Sequence, residues 1–256
     1  MDRLFISPQF QQRWDATGWR SFQDIVAKFL PDYRERRKVT VCRVAVPGNA
    51  TIDAFFKLYH HRAGGWRFWL RASKARREFE NYSTFERLGV PAAEAIACGE
   101  ERDRFGRLHR SFILTRTVPE AHSLDEHFRT RPSSRERRRL TDELAGILRR
   151  MHDANFFYYD LVWRNILVSS GKDGSKRLFL IDCPRGGTAR FGQHRKRLRD
   201  LASLDKSAAQ FCSRVERLRF LLKYSGKQNV DEGLRSLARQ CVDYRRTRWP
   251  EDWRGP

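Results

Sequence analysis

Two short apolar stretches with a polar link between them are the clearest structural signal in the chain. Residues 165–168 (NILV) and 178–181 (LFLI) suit strands, and the connecting residues 169–176 are polar and include an Asp-Gly turn signal. The pattern predicts an antiparallel hairpin. The start of its first strand lies beside the end of its second, so we expect Asn165 and Asp182 to meet at the open end.

The upstream half alternates between strand-like and helical patterns. Residues 51–59 (TIDAFFKLY) read as a strand that contains Lys57, and residues 73–88 place apolar side chains at helical spacing. Ser73 is a suitable N-cap for this helix, and Gly89 suits the position just after its end. The helix is therefore predicted to pack one apolar stripe into a core.

The remaining pattern predicts a mixed α+β chain in two parts. A leading helix or loop occupies residues 1–38, strands are expected over 39–46 and 112–115, and a long helix over 135–153. The buried stripe of that helix is Leu140, Leu144, Leu148 and Met151. His152 stands at the end of the helix, where we expect a structural hydrogen bond. We predict an N-terminal lobe over residues 1–117 and a mainly helical C-terminal lobe over 118–256.

The polar residues around the hairpin suit phosphoryl transfer. Asp182 offers a carboxylate and Asn165 an amide oxygen, which are ligands of the kind that Mg²⁺ uses when it bridges nucleotide phosphates. Asp160 stands before Asn165 at the kinase catalytic-loop spacing, at which an Asp orients or deprotonates the acceptor hydroxyl. The alternative is that these side chains only cap turns, the commonest use of Asp and Asn in loops.

Lys57 has two interpretations. A lysine within an aromatic strand usually projects into solvent, but in a kinase small lobe it contacts the ATP phosphates and pairs with a Glu on the next helix. Glu78 is the expected partner, and Glu80 is the less favoured alternative.

Together these segments resemble the lipopolysaccharide core kinases, small bacterial enzymes that phosphorylate heptose or Kdo sugars of the inner core. The resemblance runs from about residue 50 to about residue 205. It rests on the segments 56–57 (FK), 73–81 (SKARREFEN), 88–91 (LGVP) and 151–153 (MHD), on Asp160 with Asn165, and on Ile181, Asp182 and Arg185.

The resemblance implies a two-lobed, protein-kinase-like α+β fold with a small, short C-terminal lobe. It implies that Asp160 is the catalytic base and that Asn165 and Asp182 bind Mg²⁺. It further implies that Lys57 binds ATP and is oriented by Glu78. Two neighbouring arginines, Arg164 and Arg185, are candidates for contacts with the acceptor or with phosphate.

The chain departs from the protein-kinase pattern at several positions. Tyr158 and Tyr159 replace the His-Arg pair before the catalytic Asp, and Cys183 and Pro184 replace Phe-Gly after the metal-binding Asp. A glycine-rich phosphate loop is missing, and only the turn-like residues 46–50 stand near its expected place. A pseudokinase is therefore an alternative to an active enzyme.

The charge predicts anionic partners. The chain has 52 Lys and Arg against 31 Asp and Glu, a net charge of +21. Such a charge attracts nucleic acid, anionic lipid, phosphorylated glycolipid or an acidic protein. Nucleic-acid binding is supported only by the charge, because the sequence contains no recognition helix or zinc module. We therefore expect no stable nucleic-acid partner.

One basic segment also carries aromatic side chains. Residues 64–71 (GGWRFWLR) alternate Trp66, Phe68 and Trp69 with arginines, as interfacial segments do, although the tryptophans could instead pack onto the small lobe.

The five cysteines show no zinc-ligand spacing, and the sequence has no apolar run of membrane-spanning length and no signal-peptide pattern at its start. We expect a cytoplasmic protein, peripheral at the inner face of the inner membrane.

The sequence thus predicts an ATP- and Mg²⁺-dependent kinase that phosphorylates a heptose or Kdo hydroxyl of the lipopolysaccharide inner core, an anionic glycolipid acceptor. A kinase-fold phosphotransferase for another small hydroxyl substrate is one alternative. A basic nucleic-acid-binding protein or a pseudokinase is the other.

Overall fold

A computed structural model of the chain describes residues 2–31, 39–47, 51–61, 69, 71–171 and 174–252. In chain order its elements are β1 (Asp2–Ile6), α1 (Gln11–Ala16), α2 (Phe22–Phe29), β2 (Val39–Val46), β3 (Ile52–His60), α3 (Lys74–Arg87), β4 (Ala95–Arg102), β5 (Leu108–Arg116), β6 (Ala121–Ser123), α4 (Leu124–Arg129), α5 (Ser134–Asp153), β7 (Phe156–Phe157), β8 (Ile166–Ser170), β9 (Lys176–Leu180), β10 (Gly187–Thr188), α6 (Gln193–Ala208), α7 (Arg214–Ser225) and α8 (Glu232–Arg248).

The chain divides into two compact units. The first contains Met1–Thr84 and Ala93–Thr117, and the second contains Phe85–Ala92 and Val118–Pro256. In the first unit, five antiparallel strands form a sheet in the order β1-β4-β5-β3-β2. The leading residues do not hold only the helix or loop that we expected, because Asp2–Ile6 pairs along β4 as an edge strand.

The period-two pattern of β3 determines which of its side chains enter the core of the first unit. Ala54, Phe56 and Leu58 are fully buried on one face of the strand. They pack with α1 and α2, whose buried residues include Phe22 and Ile25. Successive strand residues point to opposite faces, so Lys57 and its neighbours at odd positions project away from this core.

A buried ion pair fixes the chain just before α3. The Glu100 carboxylate accepts from the Ser73 N–H at 2.7 Å and from the Arg102 guanidinium at 3.0 and 2.8 Å. Burial acts to raise the pKa of Glu100, but the Ser73 N–H and Arg102 outweigh burial and hold that pKa below its ordinary value. The Ser73 hydroxyl accepts from the Arg76 N–H, as predicted for the N-cap of this helix.

The second unit is mainly helical. The predicted stripe of α5 is buried at Leu140, Leu144, Leu148 and Met151. Three strands form a small sheet in the order β6-β8-β9, and β7 pairs with β10. An apolar cavity of about 230 Å³ opens among α4 to α8, and its lining includes Phe128, Leu144 and Trp163.

Candidate active site

The predicted hairpin forms, and it brings the two candidate metal ligands to one end. β8 and β9 are antiparallel, with Ile166 opposite Leu180, and the Ile181 N–H donates to the Asn165 carbonyl at 3.0 Å. Asn165 ends a short 3₁₀ turn and does not belong to the strand itself. The residue that follows Ile181 is Asp182, so Asn165 and Asp182 occupy the open end of the hairpin.

Asp160 is connected to this end through Asn165. The Asn165 Nδ2 donates to the Asp160 carbonyl at 3.0 Å, and the Asn165 side chain is buried. This bond uses the nitrogen end of the amide, so the oxygen is the end that can act as a metal ligand. The arrangement fits a magnesium ion that takes one amide oxygen and one carboxylate from the protein and completes its shell with phosphates and water.

The described residues contain no group of three or more His, Cys, Asp and Glu side chains able to enclose a metal ion. An ion held jointly with a nucleotide needs only one or two protein carboxylates, which is what the open end of the hairpin offers.

Two residues at this site adopt left-handed backbone conformations. Tyr159, directly before Asp160, has φ of 68°, and Asp182 has φ of 62°. Such conformations cost on the order of 1–3 kcal/mol for residues other than glycine and persist where surrounding contacts hold them. The backbone conformations of Tyr159 and Asp182 therefore depend on the contacts around them.

The contact that holds the first of these residues is a buried carboxylate that sequence reasoning missed. Asp200, on α6, is fully buried and accepts from the Tyr158 N–H and the Tyr159 N–H, each at 2.7 Å. His152 Nε2 lies 3.3 Å from the same carboxylate, and His152 Nδ1 lies 2.8 Å from the Tyr224 hydroxyl. His152 thus makes the structural hydrogen bond that we predicted. The available signal for Asp200 was an acidic residue at the start of the mainly apolar run 200–204 (DLASL).

The tyrosine pair that replaces His-Arg has a structural role. Tyr158 is fully buried, and its hydroxyl donates to the Ile181 carbonyl, beside Asp182. Its ring stacks on Phe85 at 6.1 Å between centroids. Tyr159 lies under the Arg199 guanidinium, 5.2 Å from the ring centre, and burial raises the pKa of the Tyr159 hydroxyl. Tyr158 therefore connects the Asp160 loop to the segment that carries Asp182.

The first unit contains the predicted lysine–glutamate pair. Lys57 Nζ lies 3.3 Å from Glu78 Oε2, and the Tyr59 hydroxyl donates to the same oxygen at 3.0 Å. Both donors project from the face of β3 opposite the core, as the strand period requires. Glu80, the less favoured candidate, is paired with Arg76 at 2.8 Å. The choice of Glu78 over Glu80 as the partner is confirmed.

The other predicted residues lie at the surface or outside the described residues. Arg164 and Arg185 are exposed. In the aromatic segment 64–71, Trp66, Arg67 and Phe68 lie outside the described residues, as do residues 48–50 of the predicted turn. Trp69 is described: it is exposed, and its indole N–H donates to the Phe105 carbonyl. In the described part of the chain, no helix has the length and apolar content to cross a membrane.

Comparisons with known proteins identify the family. The profile of the lipopolysaccharide kinase (Kdo/WaaP) family matches residues 55–224. Two strains of Haemophilus influenzae, PittEE and 86-028NP, have a 3-deoxy-D-manno-octulosonic acid kinase that is 25% identical to the chain over 138 residues. That match covers 50% of this chain and 56% of the relative, so the chain spans little more than half the length of these curated relatives.

A solved structure, WaaP in complex with acyl carrier protein, is similar over nearly the whole chain. It is 25% identical, has a TM-score of 0.71, and the match covers 98% of this chain and 99% of WaaP. The predicted α+β kinase-like fold is therefore confirmed.

Proposed function

We propose a function for this chain from the family to which it belongs, the lipopolysaccharide kinase (Kdo/WaaP) family. It transfers the γ-phosphoryl group of ATP to a hydroxyl of heptose or Kdo in the lipopolysaccharide inner core. The observation that carries the proposal is the connection of Asp160, Asn165 and Asp182 at one end of a hairpin. A turn-capping role explains a single Asp or Asn. It does not explain why Asn165 bonds to the Asp160 carbonyl and pairs with Ile181, the residue before Asp182, while Asp200 holds the backbone directly before Asp160.

Each residue has a separate task in this reaction. Asp160 accepts the proton of the acceptor hydroxyl. The hydroxyl oxygen attacks the γ-phosphorus, and the bond from that phosphorus to the bridging oxygen breaks to release ADP. Asn165 and Asp182 would hold Mg²⁺, which neutralises charge on the phosphates. Lys57, oriented by Glu78, binds the α- and β-phosphates. Arg164 and Arg185, both exposed, are the proposed contacts for phosphate groups of the acceptor.

The acceptor class determines the proposed location. Inner-core sugars are attached to a lipid in a membrane, so the enzyme would work as a cytoplasmic protein at the inner face of the inner membrane. The net charge of +21 supports peripheral contact with that anionic surface. Trp66 and Trp69 of the segment 64–71 remain candidates for this contact.

We also propose an acidic protein partner of the acyl carrier class. WaaP, the structural relative, was solved in complex with acyl carrier protein. The strongly basic chain suits an acidic partner, and the apolar cavity of the second unit has walls that suit a fatty acyl chain. Trp163 lines this cavity and precedes Asn165 by two residues. A fatty acyl group bound in the cavity would therefore support the loop that carries Asp160.

The test is a phosphorylation assay with ATP, Mg²⁺ and dephosphorylated core glycolipid, in which mass spectrometry detects the added phosphate. Asp160→Asn is expected to keep ATP affinity and lose about 10³-fold or more in transfer, and Asp182→Ala to lose Mg²⁺-dependent nucleotide binding. Asp243→Asn, on the exposed surface of α8, is the matched control. Parental transfer by Asp182→Ala, or an equal loss of ATP affinity in Asp160→Asn, would contradict these roles.

The outcomes also separate the alternatives. Phosphorylation of another hydroxyl compound, with none of core glycolipid, would replace the acceptor. Absence of ATP binding in the parent would favour a pseudokinase or a nucleic-acid-binding protein. The same preparations, made with and without co-expressed acyl carrier protein, test the partner, which should co-purify with the chain at low salt.

A further inference from the structure

The segment that follows Asp182 is built as a fixed surface loop. Gly187–Thr188 pairs with β7, and the next N–H, that of Ala189, donates to the Asn155 carbonyl at 2.9 Å. Gly192 then adopts a left-handed conformation, with φ of 65°, at the N-cap of α6. Lys196 on the first turn of α6 donates to the Phe191 carbonyl. The backbone on both sides of Phe191 is therefore held by hydrogen bonds.

This fixed loop presents an aromatic ring to solvent. The Phe191 side chain is 84% exposed, the highest value among the large apolar residues that are described. A single exposed apolar residue is common on protein surfaces and needs no functional explanation by itself. Phe191 differs because of its surroundings and because it lies only nine residues after Asp182.

All the charged side chains near Phe191 in the sequence, Lys and Arg, are cationic. Residues 183–199 contain six Lys and Arg side chains and no Asp or Glu. Arg190 and Arg195, on either side of Phe191, are exposed, and neither forms an ion pair with any carboxylate among the described residues. Exposed cations without acidic partners, around a projecting ring, suit a lipid surface whose headgroups are negatively charged and whose interior is apolar.

We propose that residues 190–196, which comprise the loop around Phe191 and the first turn of α6, dock on an anionic glycolipid bilayer. Phe191 enters the boundary between headgroups and acyl chains, and Arg190 and Arg195 contact the headgroup phosphates. This inference rests on the proposed function, because the acceptor is then held in that bilayer. It assigns membrane contact to a loop that adjoins Asp182 in the chain, separate from the segment 64–71.

Charge alone does not distinguish a bilayer from nucleic acid, but the aromatic ring favours the bilayer. Phosphate contacts to a duplex need only the arginines, whereas an exposed ring gains free energy from transfer into an apolar layer. The duplex therefore enters the experiment as the competing outcome.

The first measurement is sedimentation of the full chain with vesicles of phosphatidylcholine and phosphatidylglycerol, without ATP or acceptor. Phe191→Ala should weaken vesicle binding about tenfold, since burying part of a Phe side chain is worth about 1.5 kcal/mol. Arg190→Gln with Arg195→Gln should weaken it similarly and make the remaining binding less sensitive to salt. The matched control is Val215→Ala. Val215 is also an exposed apolar residue but lies on α7, so this variant should bind vesicles like the parent.

The second measurement compares two acceptors. Phe191→Ala should phosphorylate bilayer-held glycolipid several-fold more slowly than the parent, and delipidated core oligosaccharide at the parental rate. Equal loss on both acceptors, or parental vesicle binding, would overturn the proposal. So would a double arginine variant that loses duplex binding but keeps vesicle binding. Vesicle binding needs no catalysis, so it can be read even if the chain phosphorylates no core sugar.

Discussion

Two buried glutamates of the first unit have cationic partners of different kinds. Arg102 donates to Glu100 at 2.8 and 3.0 Å and also to the carbonyls of Trp69, Arg71 and Gly106 at 2.9 to 3.3 Å. Lys57 approaches Glu78 only to 3.3 and 3.5 Å.

The two cations also differ in exposure. The Arg102 side chain is 5% exposed and the Lys57 side chain 18%. These contacts distinguish an ion pair that the protein encloses from one whose cation is partly exposed. Arg102 directs its donors to several protein acceptors, whereas the longer and more open contact of Lys57 suits a cation that also binds a ligand.

Within this comparison, the largest effect on turnover is expected at Lys57. Lys57→Met should lower the rate of phosphoryl transfer about 10²- to 10³-fold, because the variant lacks the ammonium group that would contact the ATP phosphates. Its melting temperature should change less than that of Arg102→Met, which also removes the donors to three backbone carbonyls. The check is steady-state kinetics beside thermal unfolding of both variants, and a Lys57→Met enzyme with parental turnover would remove the distinction.

The second effect is on stability at Arg102. Arg102→Met leaves the Glu100 carboxylate buried without its cation, which should cost about 3–5 kcal/mol of unfolding free energy. Turnover per folded molecule should stay near that of the parent.

The pH dependence sharpens this prediction. The folded-state pKa of Glu100 is held below its ordinary value of 4.5, so its contribution to stability is present above pH 4.5 and is lost as the pH falls through the folded pKa. The stability deficit of Arg102→Met should therefore narrow below about pH 4.5. Denaturant unfolding at neutral and acid pH measures this, and a deficit that does not depend on pH would contradict it.

The smallest effect is expected at Tyr59, which donates to Glu78. Tyr59→Phe keeps the ring that lies 5.3 Å from Lys57 Nζ and removes only the hydroxyl. The loss should be about 1.5 kcal/mol of stability, the value of one hydrogen bond to a charged group, with a change of only a few-fold in turnover. A loss of turnover as large as that of Lys57→Met would mean that Tyr59 orients the glutamate as strongly as the lysine does.

Local patterns explain why much of the site was predictable. The hairpin and α3 with its Ser73 cap follow from local patterns over short stretches. The pairing of Lys57 with Glu78 follows from the resemblance to kinases. Asp200 did not follow, because the N–H groups that it accepts from lie 41 and 42 residues away along the chain. β1 was missed for the same reason, since Asp2–Ile6 is recognised as a strand only through its pairing with β4.

The bonds from Asp200 to the Tyr158 and Tyr159 N–H groups determine when those amides meet solvent. Both hydrogen atoms point at a fully buried carboxylate on a sixteen-residue helix, so deuterium can replace them only when α6 separates from the loop. The stretch before Asp160 looks like an ordinary connection in the sequence, yet its amides should exchange as slowly as those of the helix itself. In its opening motions, this loop behaves as part of the helical core.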